Sequence, residues 1–189
     1  MNVKKYSPED ITPVRITEVF RYAGGGNGED QRSLYESCLS ELLPKLSYQI
    51  AWSEYPVRIV SDLCDLGFTK TLSKNLAVNL CGCKNIVLFA ATVGLSPDRL
   101  SMKYSRTSPA RALIIEAIAT ERIEALCDAF CKQFENASPR FSPGFGDLSI
   151  DLQREILDVL DCRRKIGLTL NDSMLIVPTK SVTGIIGIK

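Results

Sequence analysis

The longest helical pattern in the sequence begins at Ser108-Pro109 and continues to about Phe134. The hydroxyl of Ser108 is suited to capping the first turn, and Pro109 has no amide hydrogen that would need a partner there. Apolar residues such as Ile118 and Leu126 occur nearly all round this helix. A helix with this pattern is buried on several sides. The rest of the chain must therefore be built around it.

Other elements are predicted from shorter patterns. Apolar residues alternate along 48–52 and again along 57–59, which indicates strands with one face on a core. Residues 34–43 and 72–81 have helical spacing. The uninterrupted apolar run 86–91 is typical of a central strand.

The sequence of the C-terminal third predicts a further helix and two further strands. A loop rich in proline and glycine spans 138–147, and a helix over 149–165 should stop at Gly167. Two strands are expected at 174–177 and 182–188, as an antiparallel hairpin. Taken together, the patterns predict one α+β domain over residues 1–189.

The glycine-rich segment Gly24–Gly28 precedes the helix predicted at 34–43. A phosphate-binding loop needs a preceding strand and a terminal Gly-Lys-Ser/Thr, and neither is evident here. We therefore interpret the segment as a flexible elbow.

The composition excludes several classes of function. The chain has 189 residues, with 23 Lys and Arg against 22 Asp and Glu, so its net charge of +1 gives no electrostatic footprint for nucleic acid. It contains no histidine, which removes Ser-His-Asp and Cys-His catalysis and every His-ligated metal site. We expect no catalytic residues, no metal site and no nucleic-acid partner.

The seven cysteines indicate reduced, buried thiols rather than a disulfide framework. A Cys₄ zinc site is disfavoured because neither Cys81-Gly-Cys83 nor the pair Cys127 and Cys131 has the spacing of a zinc knuckle. No secretion leader is evident, and the apolar stretch 85–95 is too short to span a bilayer. We expect a cytoplasmic protein with no membrane partner.

Three segments in the second half of the chain resemble a known family. They are Arg140-Phe-Ser-Pro-Gly-Phe-Gly-Asp147, Ile166-Gly-Leu-Thr-Leu-Asn-Asp-Ser173 and Val177-Pro-Thr-Lys-Ser-Val-Thr-Gly184. In order and spacing they resemble the activation (reactivation) domain of cobalamin (vitamin B12)-dependent methionine synthase. Phe89–Gly94 and the helix that follows Ser108 look like a stand-alone form of that domain. The resemblance covers about residues 55–187, and residues 1–54 are less distinctive.

The resemblance implies an α+β fold with a central antiparallel sheet and flanking helices. It also implies binding of S-adenosylmethionine and service to a corrinoid protein. In that family an electron donor reduces cob(II)alamin and S-adenosylmethionine supplies the methyl group. The implied partners are a methionine synthase without its own activation domain, which carries the cobalamin, and a low-potential donor such as a flavodoxin or ferredoxin.

The family motif Arg-x-x-x-Gly-Tyr is matched by Arg140, Gly144 and Phe145, which lacks the hydroxyl of tyrosine. The resemblance implies that these residues contact the ligand, as does Ser142 within the same segment. The fork of donors on Arg140 suits a carboxylate, and Gly144 permits close backbone approach. Glu124 matches an acidic residue near the ligand in the family.

Each of these residues has a structural alternative. Arg140 is also placed to pair with Asp147, and Phe145 to anchor the loop on the core. Glu124 has other cations within reach, Arg122 and Arg111 among them.

The function as a whole also has an alternative. The chain ends at Lys189, where the family domain continues into a further aromatic contact. This favours a second interpretation, a protein–protein module that caps a corrinoid protein without binding S-adenosylmethionine.

Overall fold

A four-stranded antiparallel sheet organises the protein, as a computed structural model shows for residues 1–25 and 29–189. The strands are β1 (Asn2–Tyr6), β2 (Tyr48–Pro56), β3 (Arg58–Val60), β4 (Leu63–Asp65), β5 (Lys70–Leu72), β6 (Asn85–Thr92), β7 (Thr169–Leu170), β8 (Ile176–Val177) and β9 (Ser181–Ile188). The central sheet has the order β1-β2-β6-β9, and smaller sheets are formed by β3-β4-β5 and by β7-β8.

Helices lie on both sides of this sheet. In the described residues they are α1 (Ile16–Tyr22), α2 (Glu29–Leu42), α3 (Lys74–Asn79), α4 (Ser96–Tyr104), α5 (Pro109–Cys131), α6 (Leu152–Val159) and α7 (Cys162–Ile166). None of the helices in this described part is long and apolar enough to cross a membrane. The predicted α+β class, with an antiparallel sheet and flanking helices, is confirmed.

Strand β6 is central because both of its faces are buried. Ile86 and Leu88 belong to one hydrophobic cluster, whereas Val87 and Phe89 belong to another on the opposite face. This explains why the run is continuously apolar instead of alternating. The prediction of a central strand over 86–91 is confirmed.

Helix α5 begins at Pro109 after the cap residue Ser108, as predicted, although the Ser108 side chain makes no capping hydrogen bond. Its C-terminal half packs Leu126 and Phe130 against the sheet. Its N-terminal half packs Ile115 and Ile118 against α1, α2 and α4. The prediction of a helix buried on several sides is therefore confirmed.

Two predictions for the C-terminal third are wrong. The helix expected over 149–165 is two helices, α6 and α7, because Asp161 adopts a left-handed conformation between them. The hairpin of 174–177 with 182–188 does not form, since β8 pairs with β7 and β9 pairs with β6. Gly167 ends α7 in a left-handed conformation, as predicted.

Some elements had no signal in the sequence that we recognised. Strand β1 has four exposed residues of its five, and α4 is predominantly polar. Helix α4 begins at Ser96, with Pro97 in its first turn. In the glycine-rich segment, Gly24 and Gly25 close the end of α1, and residues 26–28 lie outside the described part.

The segment 137–142 covers the free edge of β9. Backbone hydrogen bonds join Phe141 and Ile185 in both directions, and the amide of Ser138 donates to the carbonyl oxygen of Gly187. The hydroxyl of Ser138 accepts a hydrogen bond from the Gly187 amide at 2.8 Å and donates to Asn79 Oδ1 at 2.9 Å. This segment therefore supplies hydrogen-bond partners for backbone groups of β9 that would otherwise be exposed at the edge of the sheet.

We predict that Ser138→Ala destabilises the protein by about 1–3 kcal/mol, because it leaves the buried Gly187 amide without an acceptor. The control is Ser105→Ala, which removes an exposed hydroxyl that bonds only to a carbonyl in its own helix. Urea unfolding measures both. Equal free energies of unfolding for the two variants would contradict this role of Ser138.

Candidate functional site

Arg140 lies in the segment that covers β9, between the sheet edge and α5. Gly184 of β9 makes room for it: a Cβ atom there would stand 3.2 Å from Cγ of Arg140 and 2.6 Å from the Phe89 ring. Any side chain at this position would displace the stem of Arg140. The absence of a side chain at Gly184 thus leaves room for the Phe89 ring and for the stem of Arg140.

Arg140 and Glu124 form an ion pair. Nη2 of Arg140 donates to Oε2 of Glu124 at 2.6 Å, and the two side chains are 26% and 32% exposed. Of the alternatives raised by the sequence, pairing of Arg140 with Asp147 is therefore wrong. Glu124 does pair with a cation, but Arg122 pairs with Glu121 and Arg111 with Glu41. Solvent reaches both members of the Arg140–Glu124 pair, so a polar ligand can compete for either charge.

The rest of the guanidinium faces sulfur atoms of α5. Nη1 of Arg140 is buried and has no hydrogen-bond partner. Burial raises the pKa of the Cys127 thiol to about 12 and that of Cys131 to about 11, and the positive charge of Arg140 opposes both shifts. Burial disfavours the charged form of Arg140 as well, but the hydrogen bond to Glu124 and the negative charge of that carboxylate keep the pKa of Arg140 above its ordinary value. Arg140 is therefore a permanent cation between neutral thiols.

A shallow cleft of about 540 Å³ opens beside Arg140, between the end of α5 and the covering segment. Cys131, Phe134 and Pro139 line it together with Arg140. Its size is within the range of small-molecule sites. Of the residues that the sequence predicts for the ligand site, Arg140 lines this cleft.

The remaining predicted residues continue along the same segment. The hydroxyl of Ser142 donates to the carbonyl oxygen of Thr183 at 2.7 Å, so this side chain fixes the segment on β9. Gly144 and Gly146 follow in a turn, with φ of +87° and +56°. These angles lie in the left-handed region that favours glycine. A Cβ atom would lie 2.8 Å from Asn75 Oδ1 at Gly146 and 3.0 Å from Cδ1 of Ile150 at Gly144, so the glycines also let the turn pack closely on these neighbours.

Phe145 projects from the tip of this turn and is 65% exposed. The alternative in which it anchors the loop on the core is therefore wrong. A large exposed aromatic ring on a well-fixed turn is available for contact with a ligand or a protein.

Asp147 fixes the other end of the turn. Its carboxylate accepts hydrogen bonds from the amides of Lys74 at 2.8 Å and Asn75 at 3.2 Å, and from the hydroxyl of Ser73. It thus caps α3 from a distant part of the chain. The hydroxyl of Ser73 and these amides hold the pKa of Asp147 below its usual range.

All seven cysteines are free thiols, and only some of them are buried. Cys38, Cys64, Cys127 and Cys162 are buried, but Cys81 is exposed, so the prediction of a buried thiol is wrong there. In residues 1–25 and 29–189, no three Cys, Asp or Glu side chains lie together as metal ligands would.

We predict that Asp147→Asn lowers the melting temperature at neutral pH and that this difference disappears as the pH falls. The pKa of Asp147 is depressed in the folded state, so its contribution is present above the unfolded pKa and is lost as the pH falls through the folded pKa. Thermal melts between pH 7 and about pH 2 measure the effect. The control Asp172→Asn removes a charge from an exposed turn. An equal, pH-independent shift for both variants would contradict the capping role.

The chain was compared with protein families, curated proteins and solved structures. No family model matches the chain, and no curated protein matches it. Among solved structures it is similar to a crystal structure of the MetH reactivation domain bound to AdoHcy, with a TM-score of 0.68 and 14% sequence identity. The match covers 98% of this chain and 77% of that chain. This likeness shows that the chain has the fold of the MetH reactivation domain.

Proposed function

We propose that this protein binds S-adenosylmethionine beside Arg140 and acts as a separate reactivation subunit for a corrinoid-dependent methionine synthase. The observation that carries the proposal is the ion pair of Arg140 and Glu124, which is held at the sheet edge and remains partly exposed. The similar fold of the MetH reactivation domain, solved with AdoHcy bound, supports the choice of ligand.

The pair is complementary to an amino-acid zwitterion. The methionyl end of S-adenosylmethionine carries a carboxylate and an ammonium group a few bonds apart. Arg140 offers a donor fork for the carboxylate, and Glu124 offers an acceptor for the ammonium group. Both protein charges already lie together, so binding the zwitterion exchanges one ion pair for two and leaves no charge unmatched.

The turn after Arg140 suits the remainder of the ligand. Residues 144–146 are exposed, and Ser142 and Asp147 fix the turn from both sides. Main-chain groups of the turn are therefore the candidates for hydrogen bonds to ribose or adenine. Phe145 adds an aromatic face at the tip.

When bound, S-adenosylmethionine supplies an electrophilic methyl group. The protein's own contribution is to bind the methionyl end at Arg140 and Glu124 and to orient the sulfonium methyl toward solvent, where a partner docks. Cobalt is the nucleophile in this chemistry, so a chain without histidine needs no general base of its own. The partner brings the cobalamin, and a low-potential donor such as a flavodoxin or ferredoxin brings the electron.

The exposed ring of Phe145 is the surface that we assign to contact with the corrinoid partner. It lies on the same turn as the proposed ligand site, so a protein docked on it is brought to the methyl group. The chain's net charge of +1 means that such docking depends on apolar contact more than on long-range steering.

We predict that Arg140→Ala weakens S-adenosylmethionine binding at least about tenfold, because it removes a charged donor from the ligand carboxylate. Arg140→Lys should recover part of the affinity, since an ammonium group cannot form the fork. Calorimetric titration measures both affinities. The matched control is Arg106→Ala, an exposed arginine in the turn before α5.

Equal affinities for the wild type and Arg140→Ala would contradict this assignment of the site. Circular dichroism of Arg140→Ala establishes that any loss of affinity is not a loss of fold.

We predict that the protein restores turnover to a methionine synthase that lacks a reactivation domain and is trapped as cob(II)alamin. Recovery should require S-adenosylmethionine and a low-potential electron donor together. The methylcobalamin absorption spectrum, recorded after each component is added, measures recovery. An equally fast return without this protein would contradict the reactivation function.

The alternative of a capping module without S-adenosylmethionine binding is favoured by one observation, the exposure of Phe145. The calorimetric titration and the methylcobalamin spectrum together distinguish the capping module from the reactivation subunit. A stable complex with the corrinoid protein, no heat of S-adenosylmethionine binding and no recovery of the spectrum would establish the capping module in place of the reactivation subunit.

A further inference from the structure

A second cavity lies on the same face of the central sheet as Arg140 but near the other edge, where β1 pairs with β2. It has a volume of about 320 Å³ and is enclosed by α2, the start of β2, the loop after β1 and the buried face of α5. Pro8 and Pro13 form an exposed rim, and Leu39 and Leu43 supply apolar walls. The proposed function uses no part of this cavity.

Three polar groups converge on this otherwise apolar space. They belong to Tyr35, Tyr48 and Arg122, which are 5%, 4% and 3% exposed. Burial raises the pKa of both tyrosine hydroxyls, and the positive charge of Arg122 opposes the shift. Both therefore remain protonated at neutral pH and are available to donate.

Arg122 is incompletely satisfied. Its Nη1 donates to the carbonyl oxygen of Thr12 at 2.8 Å and its Nε donates to Glu121 at 2.6 Å. Its Nη2 lies 2.6 Å from Glu121 Oε2, but in a geometry that makes no hydrogen bond, and it is buried. A buried, charged donor of this kind is expected to have an acceptor.

The charges around this arginine favour an anion. Glu121 is fully buried and serves both Arg122 and Arg15, whose Nε lies 3.1 Å from it. Two cations therefore share one carboxylate. Glu18 is paired with Arg21, and Asp128 acts on Arg15 only at longer range. A carboxylate in the cavity would balance the remaining positive charge.

We propose that this cavity binds a small monocarboxylate with an apolar body, such as a single aromatic ring. The carboxylate accepts hydrogen bonds from the two tyrosine hydroxyls beside the positive charge of Arg122, and the body lies between Leu39 and the rim prolines. The volume corresponds to about ten water-sized units, which limits the ligand to about that number of non-hydrogen atoms. Long-chain fatty acids and nucleotides exceed this limit.

Phenylacetate is the probe for this proposal, and neutral phenylacetamide is its matched control in size and shape. Titration of the isotope-labelled protein, followed by NMR, should show saturable shifts for residues around Leu39 and Tyr48, with a Kd of about one millimolar or lower. Phenylacetamide should bind at least about tenfold more weakly, because it lacks the charge that Arg122 requires.

Two variants locate the binding. Leu39→Trp should abolish it by filling the cavity from a half-buried position. Tyr48→Phe should weaken it about threefold to tenfold by removing one donor while keeping the ring. Tyr55→Phe is the control, since Tyr55 packs against Phe68 in a different cluster and should leave the affinity unchanged.

The proposal is overturned if phenylacetate gives no saturable shift with the wild-type protein. It is also overturned if phenylacetamide binds as tightly, or if the affinity is unchanged in a folded Leu39→Trp variant. If Leu39→Trp does not fold, Tyr48→Phe against Tyr55→Phe decides the outcome.

Discussion

The covering of β9 by the segment 137–142 is the contact on which the arrangement of the candidate site depends. Strand β9 is an edge of the central sheet, and its outward backbone groups are paired by Ser138 and Phe141 instead of by another strand. Because Arg140 lies between these two anchors, its position is determined by backbone hydrogen bonds and not by its own side chain. The same contact lets one irregular segment meet both the sheet and α5.

The fold could be predicted from the sequence where burial is strong and continuous. Strand β6 and helix α5 have apolar residues on more than one face, and both were located correctly. Elements with little buried surface, such as β1 and α4, leave weak patterns and were missed. The prediction of a hairpin between β8 and β9 was wrong because tertiary contacts decide which strands pair. Strand β9 pairs with β6, which is distant in the sequence.

For the candidate site too, part could be predicted from the sequence and part could not. The residue types and the turn could be recognised in sequence, because arginine, glycine and an aromatic residue occur at fixed spacing. The ion pair could not be predicted, since Asp147 was a plausible partner for Arg140, and Arg122 and Arg111 were plausible partners for Glu124. One signal was present: Glu124 lies one heptad before Cys131 on α5, and Cys131 lines the cleft beside Arg140. Arg140 pairs with Glu124 because the edge of the sheet holds the segment 137–142 against the face of α5 that carries Glu124 and Cys131.

The central claim is that Arg140 and Glu124 together receive the methionyl end of an S-adenosyl ligand. The most direct measurement follows the NMR signals of the Arg140 guanidinium and the Glu124 carboxylate while S-adenosylhomocysteine is added. We expect both signals to shift with one saturable affinity, because the ligand's carboxylate and ammonium group enter the pair together. Saturable binding that leaves both signals unchanged, or no binding at all, would contradict it.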